Sequence, residues 1–229
     1  MIDAVRRSST ILLSAVLAAA GLQATVADPA TAAATCTYRP VMPKRISVGQ
    51  SVTELRAPLA VSGPADCQDI SVTAQLVHGS DSYFLWWTST KAEVESVYAS
   101  SVSPGTYRTT AEDCDSYDAD YNELSCTVTR TATVIKFAGR PTLSAKRSKT
   151  TLTLTARTAR YAEYEGSKAM TAKISIQRLT GKKWKTIRRT TAKGGHYTYR
   201  LRARAAARYR VVSAETATAF AATSRSVRK

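Results

Sequence analysis

The amino-acid sequence predicts an all-β protein made of two consecutive β-sandwich domains. Several segments alternate apolar with polar residues at period two and are rich in β-branched side chains, which is typical of strands. Turn residues separate these segments at short, even spacing, as in a sandwich. Charge is also divided, because residues 35–140 carry nine Lys/Arg and twelve Asp/Glu, whereas residues 141–229 carry 22 and three. We therefore predict one domain at 35–140 and a second at 141–229, joined at "FAGRP" (137–141), where Gly and Pro end a strand.

Residues 1–34 have the order of a secretory signal peptide. Two arginines precede an apolar run at 11–22, and small residues follow it, with cleavage predicted after Ala27 or after Ala34. The run is shorter than the roughly 20 apolar residues that cross a bilayer, so a membrane anchor is disfavoured. A lipidation site at the following cysteine lacks the usual aliphatic residue three positions earlier. We expect release to the exterior and no membrane span in the mature chain.

The four cysteines form an even set in a chain that is expected to be secreted. In an oxidising compartment an even number predicts disulfides, and three pairings are possible. We favour the pairing whose second bond closes a short, very polar loop, which is Cys36–Cys67 and Cys114–Cys126. A zinc site is disfavoured, because the chain has no CxxC motif and its two histidines, His78 and His196, lie far from the cysteines.

The first half contains three predicted strands and one ambiguous segment. "DISVTAQLV" (69–77) and "GTYRTT" (105–110) have strand character. "CTVTRTATVIKF" (126–137) alternates for twelve residues and is predicted as one strand. One face of that strand is expected to carry Cys126, Val128, Ala132 and Val134, and the other Thr127, Thr129, Thr131 and Thr133. The segment "KAEVESVYASS" (91–101) is interpreted as a possible short helix.

The second half shows the strand pattern more clearly. "TLTLTA" (151–156) and "KISIQR" (173–178) place leucines and isoleucines on one face. "LTGKK" (179–183) then predicts a turn, and "WKTI" is the returning strand of a hairpin. "KGGH" (193–196) predicts the next turn, followed by strands at "YTYRLRAR" (197–204) and "RYRVV". This succession of strands and turns favours a sandwich over a helical fold.

The segment "KISIQRLTGKKWKTIRRTTAKGGHYTYRLRARAAARYRVV" carries a family resemblance. A strand ends in Gln-Arg, a Gly turn follows, a Trp opens the next strand, a Gly precedes "HYTY", and a Tyr-Arg pair lies in the last strands. These features resemble the second half of a bacterial immunoglobulin-like domain common in secreted actinobacterial proteins, over about residues 141–229. The resemblance implies a sandwich that serves as a spacer or adhesive unit. Here arginines replace the usual polar surface. The whole chain also resembles uncharacterised secreted actinobacterial proteins with a disulfide-bonded β domain before this module.

The second half also contains two rows of positive residues. In "YTYRLRAR" three arginines alternate with apolar residues and so project from one side of a strand, about 6.6 Å apart. If the preceding hairpin is its neighbour, the two rows form one patch. The candidate polyanion-binding residues are Lys183, Lys185, Arg188, Arg189, Arg200, Arg202 and Arg204.

These rows predict a partner among anionic cell-surface polymers, namely teichoic acid, extracellular nucleic acid or an anionic polysaccharide. The planar guanidinium group of arginine fits phosphate and carboxylate, and a strongly basic domain attracts polyanions. An ordinary solvated basic surface is the alternative interpretation. Sequence-specific nucleic-acid recognition is not expected, because no reading motif is present.

The segment "EDCDSYDADYNELSC" (112–126) concentrates carboxylates between and beside two cysteines. Oxygen-rich loops suit Ca²⁺, although the EF-hand pattern fails here because no glycine occupies the turn. We hypothesise a calcium site at Asp115, Asp118 and Asp120. Two alternatives stay open, a solvated loop held by a disulfide and a loop that docks on the basic domain and sets the interdomain angle. No other cofactor is predicted.

The tryptophans are expected to be covered. Trp86 and Trp87 are adjacent, so a strand directs them to opposite faces. We expect the sheet to cover one of them and a loop or the other domain to cover the other. An exposed Trp at this place would instead be suited to stacking on sugars. Trp184 is expected to pack within its domain.

The sequence lacks the usual enzyme motifs. Its two histidines lie in different predicted domains, and no GxSxG elbow, P-loop or metalloprotease motif occurs. We therefore predict a secreted, non-enzymatic binding or structural protein. The alternative is a secreted module that binds a protein partner, of the adhesion or inhibitor type. Polyanion binding should weaken steeply with salt, whereas a packed protein interface should not. No pattern predicts the oligomeric state.

Overall fold

The computed structural model describes residues 35–63, 67 and 69–229. The predicted signal peptide lies outside the described residues. Within the described ranges every regular element is a β-strand, so the predicted all-β class is confirmed. The same ranges contain no helix long and apolar enough to cross a membrane.

Ten strands come from each half of the chain. The first ten are β1 (Thr35–Pro40), β2 (Arg45–Val48), β3 (Val52–Ala57), β4 (Leu59–Ser62), β5 (Asp69–His78), β6 (Asp81–Trp87), β7 (Glu93–Tyr98), β8 (Gly105–Tyr117), β9 (Ser125–Val128) and β10 (Ala132–Phe137). The second ten are β11 (Thr142–Ser148), β12 (Thr151–Arg157), β13 (Ala159–Arg160), β14 (Lys168–Ala169), β15 (Ala172–Thr180), β16 (Lys183–Ala192), β17 (His196–Arg202), β18 (Arg208–Ser213), β19 (Ala222–Thr223) and β20 (Val227–Arg228).

The first ten strands form a sandwich around one hydrophobic core. Five of them form a sheet in the order β2-β10-β8-β5-β6, and the smaller sheets β4-β1-β9 and β3-β7 make up the other layer. Buried side chains from both layers belong to a single cluster, which includes Tyr38, Leu55, Val72, Leu76, Leu85, Trp87 and Tyr107. Two sheets that bury their inner faces against each other are the defining feature of a β-sandwich.

The second ten strands form another sandwich with its own core. One layer, here called the basic sheet, has the order β11-β12-β17. The other layer, here called the opposite sheet, has the order β16-β15-β18-β19, with β20 also paired to β18. The core between them includes Leu152, Leu154, Ile174, Ile176, Tyr209 and Val211. This distribution of successive strands between two layers is the arrangement of immunoglobulin-like sandwiches, so the predicted fold class is confirmed.

The predicted faces of three strands agree with the structure. In β5 the alternate residues Ile70, Val72, Ala74 and Leu76 are buried. In β12 and β15 the buried residues are Leu152, Leu154, Ala156, Ile174 and Ile176. A strict period of two therefore predicted the inward side chains correctly wherever a strand stays in one sheet.

The prediction of one continuous strand at 126–137 is wrong. The segment forms β9, which pairs in parallel with β1, and β10, which belongs to the five-stranded sheet. The chain crosses between layers at 129–131, where Thr131 N donates to Thr109 Oγ1 at 2.6 Å. The crossing also inverts the faces, because Thr133 is buried while Val134 points outward. The alternation is in fact interrupted, since Arg130 occupies an otherwise apolar position at the crossing and the apolar phase then shifts to Ile135 and Phe137, both buried.

The predicted short helix within 91–101 is also wrong. Residues Glu93–Tyr98 form β7, which pairs antiparallel with β3 from Val52↔Tyr98 to Ala57↔Glu93. A weak local preference is overridden when a segment meets a strand partner and buries a side chain, as Val97 does here.

Both favoured disulfides are present. The structure joins Cys36 to Cys67 and Cys114 to Cys126, so no cysteine among the described residues is free. Disulfides of this kind are typical of proteins that work at the cell exterior or surface.

Contacts between the two sandwiches are made by the predicted joint and by the segment near residue 218. Phe137 donates its backbone N–H to Thr218 O and accepts from Phe220 N, both at 3.1 Å. Glu215 pairs with Arg45 and Lys136 at 2.7 Å each. The carboxylate in these ion pairs is Glu215. The acidic segment at 112–126, for which docking on the basic domain was one interpretation, contributes none of them. The division into two domains at residue 140 stays a prediction.

We expect Glu215→Gln to lower the free energy of unfolding at neutral pH by about 0.5 kcal/mol, since Glu215 is 40% exposed and solvent screens the pair. The hydrogen bond from Lys136 lowers the pKa of Glu215, burial opposes this only in part, and the charges of Lys136 and Arg45 lower it further. A lowered folded pKa stabilises above the ordinary Glu value of about 4.3, and the effect is lost as pH falls through the folded value.

Thermal unfolding of the wild type and of Glu215→Gln at neutral and acidic pH checks this expectation. The two proteins should differ at neutral pH and converge in acid. Glu54→Gln is the matched control, because Glu54 pairs at 2.8 Å with Arg56 inside one strand and touches no second sandwich. Equal effects of the two substitutions would show that the pairs between the sandwiches add no more than an ordinary surface pair.

Candidate polyanion-binding surface

The arginines of β17 lie on the outward face of the basic sheet. Arg200 and Arg202 are exposed, and the alternate residues Tyr199 and Leu201 are half-buried against the second core. The predicted alternation of this strand is therefore observed. Arg204 is exposed but lies beyond the end of β17.

The end of β17 has a specific cause. The guanidinium group of Arg147 donates to the backbone carbonyl of Ala203 and, at 3.2 Å, to that of Ala205. Arg202 also lies opposite Thr151, the first residue of β12, so β12 has no residue opposite Arg204. Arg204 therefore leaves the row that Arg200 and Arg202 form.

Strand register adds two further cations to these arginines. Thr153 of β12 lies between Arg200 of β17 and Lys146 of β11, all on the outward side. Four residues further along β12, Arg157 lies opposite His196. Neighbouring strands are about 4.8 Å apart and each residue advances about 3.3 Å, so these cations lie on one side of the sheet and extend about 20 Å along its strands, from Arg202 to Arg157. We call this the basic face, which consists of Lys146, Arg157, Arg200 and Arg202.

Threonine and serine fill the positions between these cations. The outward residues of β11 and β12 include Ser144, Ser148, Thr151, Thr153 and Thr155. Their hydroxyl groups donate and accept hydrogen bonds without adding negative charge. The face therefore presents cations with neutral hydrogen-bonding groups between them.

The cations of this face form no ion pair with a carboxylate of the described residues. After residue 140 the chain has three acidic residues, Glu163, Glu165 and Glu215. Of these, Glu215 is held by Arg45 and Lys136. The three ion pairs among the described residues include none of the four cations of the basic face. A cluster of unpaired positive side chains raises the local concentration of anions.

The second predicted row lies in a different sheet. β16 pairs with β15 in the opposite sheet rather than with β17. Arg188 lies directly opposite the buried Ile176 of β15, on the core-facing side of β16, as do Lys183 and Lys185 beyond a β-bulge. All three are nevertheless exposed, because β16 is the edge strand of its sheet. Arg189 points to the outer surface. The expected single patch is therefore not formed by these strands.

Two glycines explain why the rows separate. Gly194 and Gly195 at the predicted "KGGH" turn have φ values of 56° and 80°, in the left-handed region that favours glycine. A Cβ atom at Gly195 would lie 2.7 Å from Thr158 O. The turn carries the chain from the opposite sheet to the basic sheet. The two rows meet where Arg188 Nε donates to Tyr197 Oη at 3.2 Å.

Trp184 packs, but not in the core. The guanidinium group of Arg210 lies 4.3 Å from the centre of its ring, and Arg210 Nε donates to Gln177 Oε1 at 2.7 Å. This stack lies on the outer surface of the opposite sheet. Ile187 does pack against the second core.

The proposed calcium ligands are not gathered together. Asp115 lies within strand β8, whereas Asp118 and Asp120 follow it in a turn. Asp118 Oδ1 accepts from the backbone N–H groups of Asp120 and Asn122, both at 2.8 Å. The side chain of Asn122 is the main cause of the lowered pKa of Asp118. No group of three potential ligands occurs among the described residues, and calcium binding stays a prediction.

A carboxylate that sequence reasoning missed anchors a loop of the first sandwich. Asp81 Oδ2 accepts from Tyr107 Oη at 2.8 Å and from Ser103 N at 2.5 Å. Burial alone would raise the pKa of Asp81, but these hydrogen bonds outweigh it and the pKa is lowered. Burial raises the pKa of Tyr107. The tyrosine therefore stays the donor and the carboxylate the acceptor, which suits a structural role.

The expectation that both adjacent tryptophans are covered is wrong. Trp87 is 1% exposed and donates its Nε1–H to Ala57 O at 2.6 Å. Trp86 is 53% exposed. β6 is the last strand of the five-stranded sheet, so the outward side of this strand has no neighbour on one edge.

Comparison with known proteins adds little to this description. No family model and no curated protein matches the chain. The similar solved structures include the fibronectin(III)-like modules of Clostridium thermocellum CbhA, with 11% identity, a TM-score of 0.35, and coverage of 83% of this chain and 90% of that one. They also include the human OSCAR ligand-binding domain, with 13% identity, a TM-score of 0.30, and coverage of 85% and 98%. The D00-D0 domain of intimin has 14% identity, a TM-score of 0.25, and coverage of 83% and 98%. Similarity at this level carries no argument, and the fold class rests on the strand order and cores described above.

Proposed function

We propose that this protein is a secreted, non-enzymatic binding protein whose basic face contacts an anionic polymer at the cell exterior, such as a wall polymer. The observation that carries the proposal is the basic face itself. It presents Lys146, Arg157, Arg200 and Arg202 on one side of one sheet, with no ion-pair partner among the described residues.

The chemistry of this face suits repeated phosphate or carboxylate groups. A guanidinium group forms two parallel hydrogen bonds with such an anion. Arginines at alternate residues of a strand repeat this binding group at a spacing of about 6.6 Å. A flexible polymer can follow these positions, and threonine and serine hydroxyls between them can bind its neutral groups. No ion pair within the described part of the chain has to break before the polymer binds.

An exterior location supports a cell-surface polymer over a cytoplasmic one. Two disulfides persist in an oxidising compartment, and the predicted signal peptide would direct the chain there. The candidate residues of β16 would add to the attraction as a second positive region, separate from the basic face.

We expect Arg200→Gln/Arg202→Gln to weaken binding of the full chain to teichoic acid and to reduce the dependence of log Kd on log salt by about two, one for each lost contact. Isothermal titration at several salt concentrations measures both quantities. DNA and heparin serve as comparison polymers, and the one that still binds at physiological salt identifies the ligand class.

The control variant is Arg39→Gln/Arg130→Gln, which removes the same charge from exposed positions of the first sandwich. If both double variants lose the same affinity and salt slope, the polymer responds only to total charge and the basic face is not a binding site. Binding that is insensitive to salt would instead favour a protein partner.

A further inference from the structure

A second exposed surface lies on the first sandwich, on the outward side of β6. Phe84 is 51% exposed and Trp86 is 53% exposed, and they occupy alternate positions of the same strand. Large aromatic side chains that stay exposed next to each other mark interaction surfaces. A partner would therefore find two rings about 6.6 Å apart on an edge strand.

Carboxylates lie on the same side of the sheet as these rings, two strands away. Trp86 is directly opposite Thr73 of β5, which in turn is opposite Asp113 of β8. With strands about 4.8 Å apart, Asp113 lies about 10 Å across the sheet from Trp86. Phe84 is opposite Gln75 in the next row. These two rows of the described strands contain no Lys or Arg, and the exposed Arg108 lies in the adjacent row, opposite Val77.

Two further carboxylates extend the negative charge. A bulge in β8 gives this strand an extra residue, Glu112, which accepts a hydrogen bond from Gln75 Nε2. Asp115 is opposite Ser71, whose Oγ accepts from Trp86 Nε1 at 3.3 Å. We call the whole surface the aromatic–acidic face, which consists of Phe84, Trp86, Glu112, Asp113 and Asp115.

This combination fits a cation, and above all arginine. An aromatic ring attracts a guanidinium group to its face, and nearby carboxylates add Coulombic attraction. The protein already uses this contact repeatedly, because guanidinium groups lie 4.1 Å, 4.2 Å and 4.3 Å from the rings of Phe220, Phe137 and Trp184. The first of these stacks joins the two sandwiches.

We propose that the occupant of the aromatic–acidic face is a second copy of this chain, held by the arginines of its basic face. Arg200 and Arg202 occupy alternate positions of one strand, as Phe84 and Trp86 do, so the two pairs have the same spacing of about 6.6 Å. Each guanidinium group then lies on one ring. The net charges of the two halves, −3 for 35–140 and +19 for 141–229, are also complementary.

This contact is heterologous, because it joins two different surfaces. Each assembly keeps one free basic face at one end and one free aromatic–acidic face at the other, so association continues head to tail into short chains. The whole chain carries a net charge of +16, which repels copies at low salt. At physiological ionic strength the Debye length is about 8 Å, and the local contact dominates over this repulsion. Association is therefore strongest at intermediate salt.

Sedimentation velocity of the full chain at physiological salt, from micromolar to millimolar concentration, tests the proposal. The mean mass of the wild type rises with concentration. Phe84→Ala/Trp86→Ala and Arg200→Gln/Arg202→Gln each remain monomeric alone. Mixed in equal amounts, they associate again but stop at dimers, because the first variant has lost one surface and the second the other.

Tyr164→Ala is the control for loss of an exposed aromatic residue, since Tyr164 is 90% exposed and lies outside both surfaces. It leaves association unchanged, and near-UV circular dichroism checks that every variant is folded. A wild type that stays monomeric at all concentrations, or a mixture that does not associate, overturns the proposal. So does quenching of tryptophan fluorescence by a neutral oligosaccharide that is seen in a monomeric wild type and lost in Phe84→Ala/Trp86→Ala, which assigns this face to sugar. None of these results affects polymer binding by the basic face, which the proposal does not require.

Discussion

Replacing Trp87 with alanine is expected to lower the free energy of unfolding by about 3–5 kcal/mol, because its side chain is buried in the first core. Trp87 is 1% exposed, and its Nε1–H donates to Ala57 O in the facing layer. The substitution leaves a cavity and removes the hydrogen-bond partner of a buried carbonyl. It also weakens the contact between β6 and β3, which holds the two layers together.

The adjacent residue provides a control of the same type. Trp86→Ala removes a half-exposed ring from the outer surface and is expected to change the free energy of unfolding by less than about 0.5 kcal/mol. Urea unfolding monitored by circular dichroism measures both variants. A similar decrease in the free energy of unfolding for the two variants would contradict the assignment of Trp87 to the core and of Trp86 to the surface.

Removing the disulfide Cys36–Cys67 is the second change with a large expected effect. The Cys36→Ala/Cys67→Ala variant should lose about 3–4 kcal/mol, because the bond joins residues 31 apart and restricts the unfolded chain. Cys36 is also fully buried in the first core, so its packing is lost as well. Replacing both partners avoids leaving a reactive thiol.

The other disulfide serves as the comparison. Cys114→Ala/Cys126→Ala should lose somewhat less, about 3 kcal/mol, since its partners are only 12 residues apart. Both of these cysteines are half-buried rather than fully buried. Unfolding curves of the two variants under identical conditions show which variant loses more free energy of unfolding. A larger loss for the shorter loop would indicate that native packing, rather than the unfolded chain, controls the effect.

Local periodicity predicted the strands that remain in one sheet. The buried residues of β5, β12 and β15 occur at every second position, and the sequence displays that period directly. The prediction failed at 129–131, where the chain changes layer and Arg130 interrupts the alternation of residue types. It also failed at β7, because only the long-range pairing with β3 makes Glu93–Tyr98 a strand.

The candidate site was predicted only in part, for the same reason. The alternation within β17 placed Arg200 and Arg202 on one outward side. Lys146 and Arg157 were missed, because their position beside these arginines depends on the register of β11, β12 and β17. The sequence suggested that the positive row on β16 lies beside the row on β17, but the two strands belong to different sheets. Hairpin signals do not tell whether a following strand stays in the same sheet.

The sequence by itself determined the all-β class, the paired cysteines and the concentration of positive charge after residue 140, because each depends on residue type and local spacing. Only the tertiary structure decided which charges share a surface. It assigned β16 and β17 to different sheets, gathered four cations on the basic sheet and left Trp86 exposed on the same side of a sheet as carboxylates. These outcomes depend on pairing between strands far apart in the chain, and the free energy of such pairing comes from burying both layers together rather than from any single segment.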